Sequence, residues 1–157
     1  MTRHDIIFDI NYSHYMEKMF CIITGRIDRL ISVVLMMLGA AVFSPYNNNF
    51  LFGTIIAALS AIQFIYQFGK QSGMAQEQSK KYLELMTEEA KYSDDQLLIL
   101  LKEFQKNDCN VWGVFDSIAH KKAAIKLGLI DTSAPLSRTE RFFAFFAGGL
   151  PKEQKVT

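Results

Sequence analysis

The sequence predicts an all-α membrane protein: a two-helix transmembrane hairpin carrying a helical cytoplasmic domain. Three observations point there. Half of the 157 residues are hydrophobic and 21% are charged, yet charges stop at Arg29 and resume at Lys70, leaving 40 residues without Asp, Glu, Lys, Arg or His. A bilayer core is about 30 Å thick and a helix rises about 1.5 Å per residue, so one crossing takes about 20 residues and this run holds two. Turn formers, Ser44-Pro45-Tyr46-Asn47-Asn48-Asn49, divide it in the middle. Outside the run, apolar residues recur at helical spacing between helix caps, and no alternating strand pattern is present.

Residues 1–29 form a cytoplasmic amphipathic segment. Met16, Phe20, Ile23 and Ile27 share one face of a helix expected from about Tyr12, with Gly25 marking a bend. This helix lies along the inner membrane surface or packs on the cytoplasmic helices. Charges at Arg3, Asp5 and Asp9 and the late start of the apolar run speak for uncleaved insertion rather than a signal peptide.

Residues 30–69 form the hairpin, with the first arm over about 28–44 and the second over about 50–69. The first arm is short and borrows Ile27 and the aliphatic stems of Arg26 and Arg29. Arg26 and Arg29 precede it, and Lys70, Lys80 and Lys81 follow the second arm, whereas the loop has no basic residue. The positive-inside rule then puts both termini in the cytoplasm of a bacterial cell, with the hairpin in its inner membrane. Phe43, Tyr46, Phe50 and Phe52 form an outer aromatic belt, and Tyr66 and Phe68 an inner one.

Residues 70–150 are a helical stalk and domain, and 151–157 a loose tail. The helix is expected to leave the membrane unbroken. Met74, Lys81, Leu85 and Tyr92, with Tyr82 and Met86, give a narrow stripe suited to contact with other copies or a partner. Ser93-Asp94-Asp95-Gln96 is a capping box opening a helix that ends at Asn107-Asp108. A further helix spans about Val111 to Leu127 and stops at Gly128. The last one starts at the capping box Ser137-Arg138-Thr139-Glu140 and stops at Gly148-Gly149-Leu150-Pro151.

Candidate chemistry is sparse. Cys21 and Cys109, with no CxxC, indicate neither zinc nor a disulfide framework and read as reduced packing residues. Asp116 and His120 share a helical face, but Ser117 sits mid-helix without the sharp turn that exposes a nucleophile. His4, His14 and His120 lack metal-ligand spacing, and there is no phosphate-binding loop. No catalytic, cofactor or metal residue is expected, nor a small-molecule substrate. From Lys70 onward 13 basic side chains face 12 acidic ones, so no broad nucleic-acid-binding field exists. Lys121, Lys122 and Lys126 form a small basic face, either solvated or turned to anionic lipid headgroups, nucleic acid or an acidic partner.

Two surfaces stand out. Gly53, Ala57 and Ser60 (or Ala61), continued by Gln63 and Gln67, line one side of the second arm. They serve packing between the arms, or an oligomer in which the polar members line a hydrated path. Phe142, Phe143, Phe145 and Phe146 crowd a short helix. With Trp112 and Phe115 they suggest core packing or a partner or subunit interface, and insertion into the inner leaflet is the sharper alternative.

A cytosolic lead-in, two short membrane helices with a tiny external loop, an exit helix and a compact helical end resemble the SLATT-type two-transmembrane effectors of bacterial defence systems. The arrangement is also similar to the two-transmembrane effectors that accompany some retrons. The likeness covers the architecture of about residues 15–110. It implies an abortive-infection toxin that oligomerises and opens the inner membrane once released by a sensor or inhibitor partner, a ribonucleoprotein among the candidates. Against it stand a non-toxic membrane anchor that recruits a soluble partner, and a small channel, holin-like or exclusion protein of a phage or plasmid.

Overall fold

The computed structural model describes residues 2–41, 49–130 and 133–151. They form six α-helices: α1 (Arg3–Ala41), α2 (Asn49–Tyr66), α3 (Phe68–Glu88), α4 (Asp94–Gln105), α5 (Asp116–Lys126) and α6 (Arg138–Phe146). Single 3-10 turns at Glu89–Lys91 and Gly113–Phe115 join some of them, and no strand occurs among the described residues. Asn49 already belongs to α2. The rest of the expected loop, Phe43 and Tyr46 of the outer belt, and the tail 152–157 lie outside the described residues.

Helix α1 corrects the expectation of a helix beginning near Tyr12 and bending at Gly25. It is one helix of 39 residues, about 60 Å long. Its early start has a local and a tertiary cause. The Thr2 and Asp5 side chains accept from each other's backbone N–H. Ile6 and Ile10 are buried against Tyr82, Leu85, Leu97 and Leu101. The Arg3 guanidinium donates to the carbonyls of Glu89 (2.7 Å) and Tyr92 (3.2 Å), completing the C-terminal end of the neighbouring helix. At Gly25 the backbone stays helical because the glycine serves a close approach: a Cβ there would stand 2.8 Å from Ser72 Oγ.

Helix α3 runs antiparallel to α1. Asp28 meets Gly69, Gly25 meets Ser72, His14 meets Ser79, and Ile6 and Ile10 lie with Tyr82 and Leu85. The buried face of α3 therefore belongs to its own chain, which corrects the reading of this stripe as a stalk for copies or partners. Ala75, Gln78, Ser79, Tyr82 and Leu85 are buried, whereas Met74 is half exposed. The unbroken exit helix is also corrected, because α2 ends at Tyr66, short of Gly69. Gln67 sits in the left-handed region at φ 46° and ψ 47°. Hydrogen bonding nevertheless continues through it: Gln67 N donates to the Gln63 carbonyl (2.9 Å), and Gln71 Nε2 donates to the Tyr66 carbonyl (2.7 Å).

Beyond α3 the capping boxes at Ser93 and Ser137 form as the sequence predicts. The helix expected from Val111 begins only at Asp116, since Trp112 is extended and Gly113–Phe115 is a tight turn. Gly128, Gly148 and Gly149 take positive φ where α5 and α6 end. Of the expected basic face, Lys126 and half-buried Lys122 stay together and Lys121 leaves it. Lys121 is buried and donates to Ser133 Oγ (2.8 Å), and Lys126 is exposed. One core gathers Met19, Phe20, Ile23, Phe115, Ile118 and Ala144, and a second gathers Ile6, Ile10, Tyr82, Leu97 and Leu101. Both are laid along α1.

Two glycines separate close packing from open space. Gly25→Leu is expected to wedge α1 from α3 and cost about 1–3 kcal/mol. Gly73→Ala, where nothing lies within 4 Å of an added Cβ, is expected to gain about 0.5–1 kcal/mol from lost chain entropy. Thermal unfolding of the full chain in mild detergent checks both.

Candidate functional site

The distal half of α1 and helix α2 lie side by side. The partly covered residues of α2 are Phe52, Ile56, Leu59 and Gln63, spaced as one helical stripe. Gln63 Nε2 donates to Ser32 Oγ (3.2 Å) and Asp28 Oδ1 (3.3 Å), so this polar side chain is spent on the contact between the arms. Gly53, Ala57 and Ser60 lie about 90° around the helix from that stripe and are exposed. Inter-arm packing therefore does not use the small residues. Gln67 does not continue the Gln63 face either: its left-handed backbone breaks the helical phase, and its side chain is exposed. The run Phe50–Lys91 is the one helical stretch among the described residues long and apolar enough to cross a membrane, and none of its apolar window is buried.

Beneath the arms lies a polar centre that the sequence reading missed. Glu17 of α1 is 1% exposed, and its Oε1 accepts the backbone N–H of Cys109 at 2.7 Å, while Oε2 has no partner. From α3, Tyr82 Oη donates to Asp108 Oδ1 (2.8 Å), and Gln78 Nε2 donates to the same oxygen (2.9 Å) and to the Phe104 carbonyl (2.5 Å). His14 Nδ1 lies 3.2 Å from Ser79 Oγ and 2.9 Å from the Ser79 carbonyl. Residues 108 and 109, the start of the link from α4 to α5, are thus pinned by α1 and α3 at once.

Burial sets the electrostatics of this centre. Loss of hydration raises the Glu17 carboxyl to about 7, partly offset by the Cys109 N–H and reinforced by the nearby Asp108 charge. Burial and then the Glu17 charge push the Cys109 thiol up to about 12, so it is a poor nucleophile. Burial lowers His14 and raises Tyr82. These groups hold a loop and a proton. Among the described residues no cluster of three His, Cys, Asp or Glu could hold a metal ion. Asp116 and His120 keep one face of α5 but take separate partners on α1: Asp116 accepts from Tyr12 Oη at 2.6 Å, and the His120 ring packs edge-on against Phe8.

The aromatic set divides. Phe115 is fully buried, which corrects its assignment to an interface. Phe143 is partly buried between Phe115 and Trp112, at ring distances of 6.0 and 6.4 Å, and Trp112 meets Phe20 edge-on. Phe142 and Phe146 remain exposed, together with Phe145. The polar centre had a legible trace in the 75-78-82-85 spacing of α3. Its polar members hid it from a search for apolar stripes. Comparison with protein-family models, curated proteins and solved structures finds no match for this chain.

Because the folded chain binds the Glu17 proton more tightly than the unfolded chain, stability falls as pH rises from about 4.5 to about 7. Glu17→Gln keeps an acceptor for the Cys109 N–H and carries no charge. It is expected to exceed the native chain in stability by about 1–3 kcal/mol at pH 8 and to match it below pH 4.5. Unfolding curves between pH 4 and pH 9 read the difference; a pH-independent gap would show that the carboxyl is not the cause.

Proposed function

We propose that this chain is a two-pass effector of the bacterial inner membrane with both termini in the cytoplasm. It oligomerises through α2 and permeabilises the bilayer when a regulatory partner acts on its helical body. The carrying observation is that α2, an apolar helix, has no buried residue among those described from Phe50 to Tyr66 and yet keeps its small-residue face, Gly53, Ala57 and Ser60, outside the contact with α1. In lipid, small side chains let helix backbones approach closely, so a face left free by the chain's own fold is suited to other copies. Ser60 then lies near a shared axis, where a hydroxyl needs a partner or water.

The hairpin rests on α2, on the apolar distal half of α1, and on the uncharged run from Leu30 to Gly69. Basic residues at its base, Arg26, Arg29 and Lys70, favour the orientation with termini inside. The helical body is joined to the arms by α1 and, through Gln67, by α3. The architectural resemblance supplies the setting, an anti-phage response that ends in death of the infected cell.

Gly53 makes the proposal testable without disturbing the fold, since an added Cβ meets nothing within 4 Å. Gly53→Ile with Ala57→Leu is expected to leave the monomer folded while abolishing cross-linked oligomers and the collapse of membrane potential on induced expression. Potential-sensitive dye and propidium uptake provide the readout, with and without neighbouring genes. A native chain that leaves both signals unchanged in every background would sink the proposal.

A further inference from the structure

Helix α6 presents an aromatic ridge that nothing in the fold covers. Ala144 and Ala147 are buried and Phe143 is partly covered, which turns the opposite side outward. There Phe142 is 59% and Phe145 65% exposed, with Phe146 at 39%. The three rings support one another, Phe142 on Phe146 at 4.7 Å and Phe145 on Phe146 at 5.4 Å. An isolated soluble body gains nothing by exposing three adjoining phenylalanines on a helix of nine residues.

The position of the ridge says what covers it. Arg26 Nη1 donates to the Phe146 carbonyl at 2.5 Å, and Gly148 approaches Ile22 so closely that a Cβ would lie 3.2 Å from its Cδ1. The C-terminal end of α6 is therefore fixed to α1 at Arg26, four residues before the uncharged run begins at Leu30. Four helical residues rise about 6 Å. An interfacial helix buries its apolar face about 5–10 Å into the boundary between headgroups and acyl chains. On the membrane reading, with the span starting at Leu30, the end of α6 that carries Phe146 lies at headgroup depth beside the arms. By helical periodicity Arg138 and Arg141 flank Phe142 and Phe145 on the same exposed side, and flanking guanidinium groups suit anionic phosphates.

We propose that α6 is a membrane-interface foot. Its Phe142–Phe145–Phe146 ridge enters the headgroup region of the leaflet that receives the base of the hairpin, with Arg138 and Arg141 on anionic lipid phosphates. The proposal rests on the membrane reading of the arms and adds a second, non-spanning attachment that fixes the body against the bilayer. Tilting the body away from the membrane then requires withdrawing α6 from lipid.

Brominated lipids test it on the full chain reconstituted into vesicles of phosphatidylcholine and phosphatidylglycerol. With Trp112→Phe as background, F145W is expected to be quenched about twofold by shallow bromines and less by deep ones. In the same background, I55W, on the exposed part of α2, reports the span and is expected to follow the deep bromines. If I55W is quenched and F145W is not, the foot is overturned while the membrane reading stands. Shielding of F145W from acrylamide without quenching by either lipid means that a second copy covers the ridge, and this also overturns it. Quenching of neither probe overturns the membrane reading and the foot with it.

Discussion

The antiparallel seam between α1 and α3 is the contact on which the other elements depend. It runs from Arg3 against the end of α3, through His14 and Ser79, to Gly25 against Ser72 and Asp28 against Gly69. Most of the buried side chains of both helices face it or lie on its flanks. A helix of 39 residues gains little from intrinsic propensity, and packing along one face decides whether it persists. Here the proximal half of α1 has that packing, while its distal half has only α2 beside it. One helix therefore joins a densely packed half to a sparsely packed one, and the seam sets where the first ends.

The seam also explains why a carboxyl is buried. Burying Glu17 costs solvation that an apolar residue would not, and half-buried Asp108 adds a repulsive charge beside it. What the pair achieves is register. Two acceptors, one presented by α1 and one held by Tyr82 and Gln78 of α3, fix residues 108 and 109 and so the direction in which the chain leaves α4. The aromatic packing of Trp112, Phe115 and Phe143, and the seat of α6, follow from that exit.

Much of this was legible in the sequence for identifiable reasons. The helix class, the capping boxes at Ser93 and Ser137 and the stops at Gly128 and Gly148 follow from local chemistry that tertiary packing did not override. The start of α1 was missed because Ile6 and Ile10 are ordered by residues some eighty positions away, and Arg3 caps a helix other than its own. Gly25 was misread because a glycine that admits a neighbouring side chain, here Ser72, looks the same in sequence as one that bends. Gln67 carried no signal, since a left-handed conformation is unusual for glutamine. Of the candidate face, Gly53, Ala57 and Ser60 stay together, whereas Gln63 turned to Ser32 and Asp28 and Gln67 left the helix phase. Phe115 stayed open between core and interface because aromatic density alone does not say which rings of a segment pack inward.

The left-handed residue at Gln67 separates two angular settings. In an uninterrupted helix, the azimuth of every α2 side chain would be dictated by the seam that holds α3. A single residue outside that periodicity lets the outward stripe of α2 be chosen independently of the inward stripe of α3. One stripe answers to the surroundings of α2 and the other to the body's core, on a continuous backbone. An insertion or deletion inside α2 would rotate its stripes without propagating into the seam.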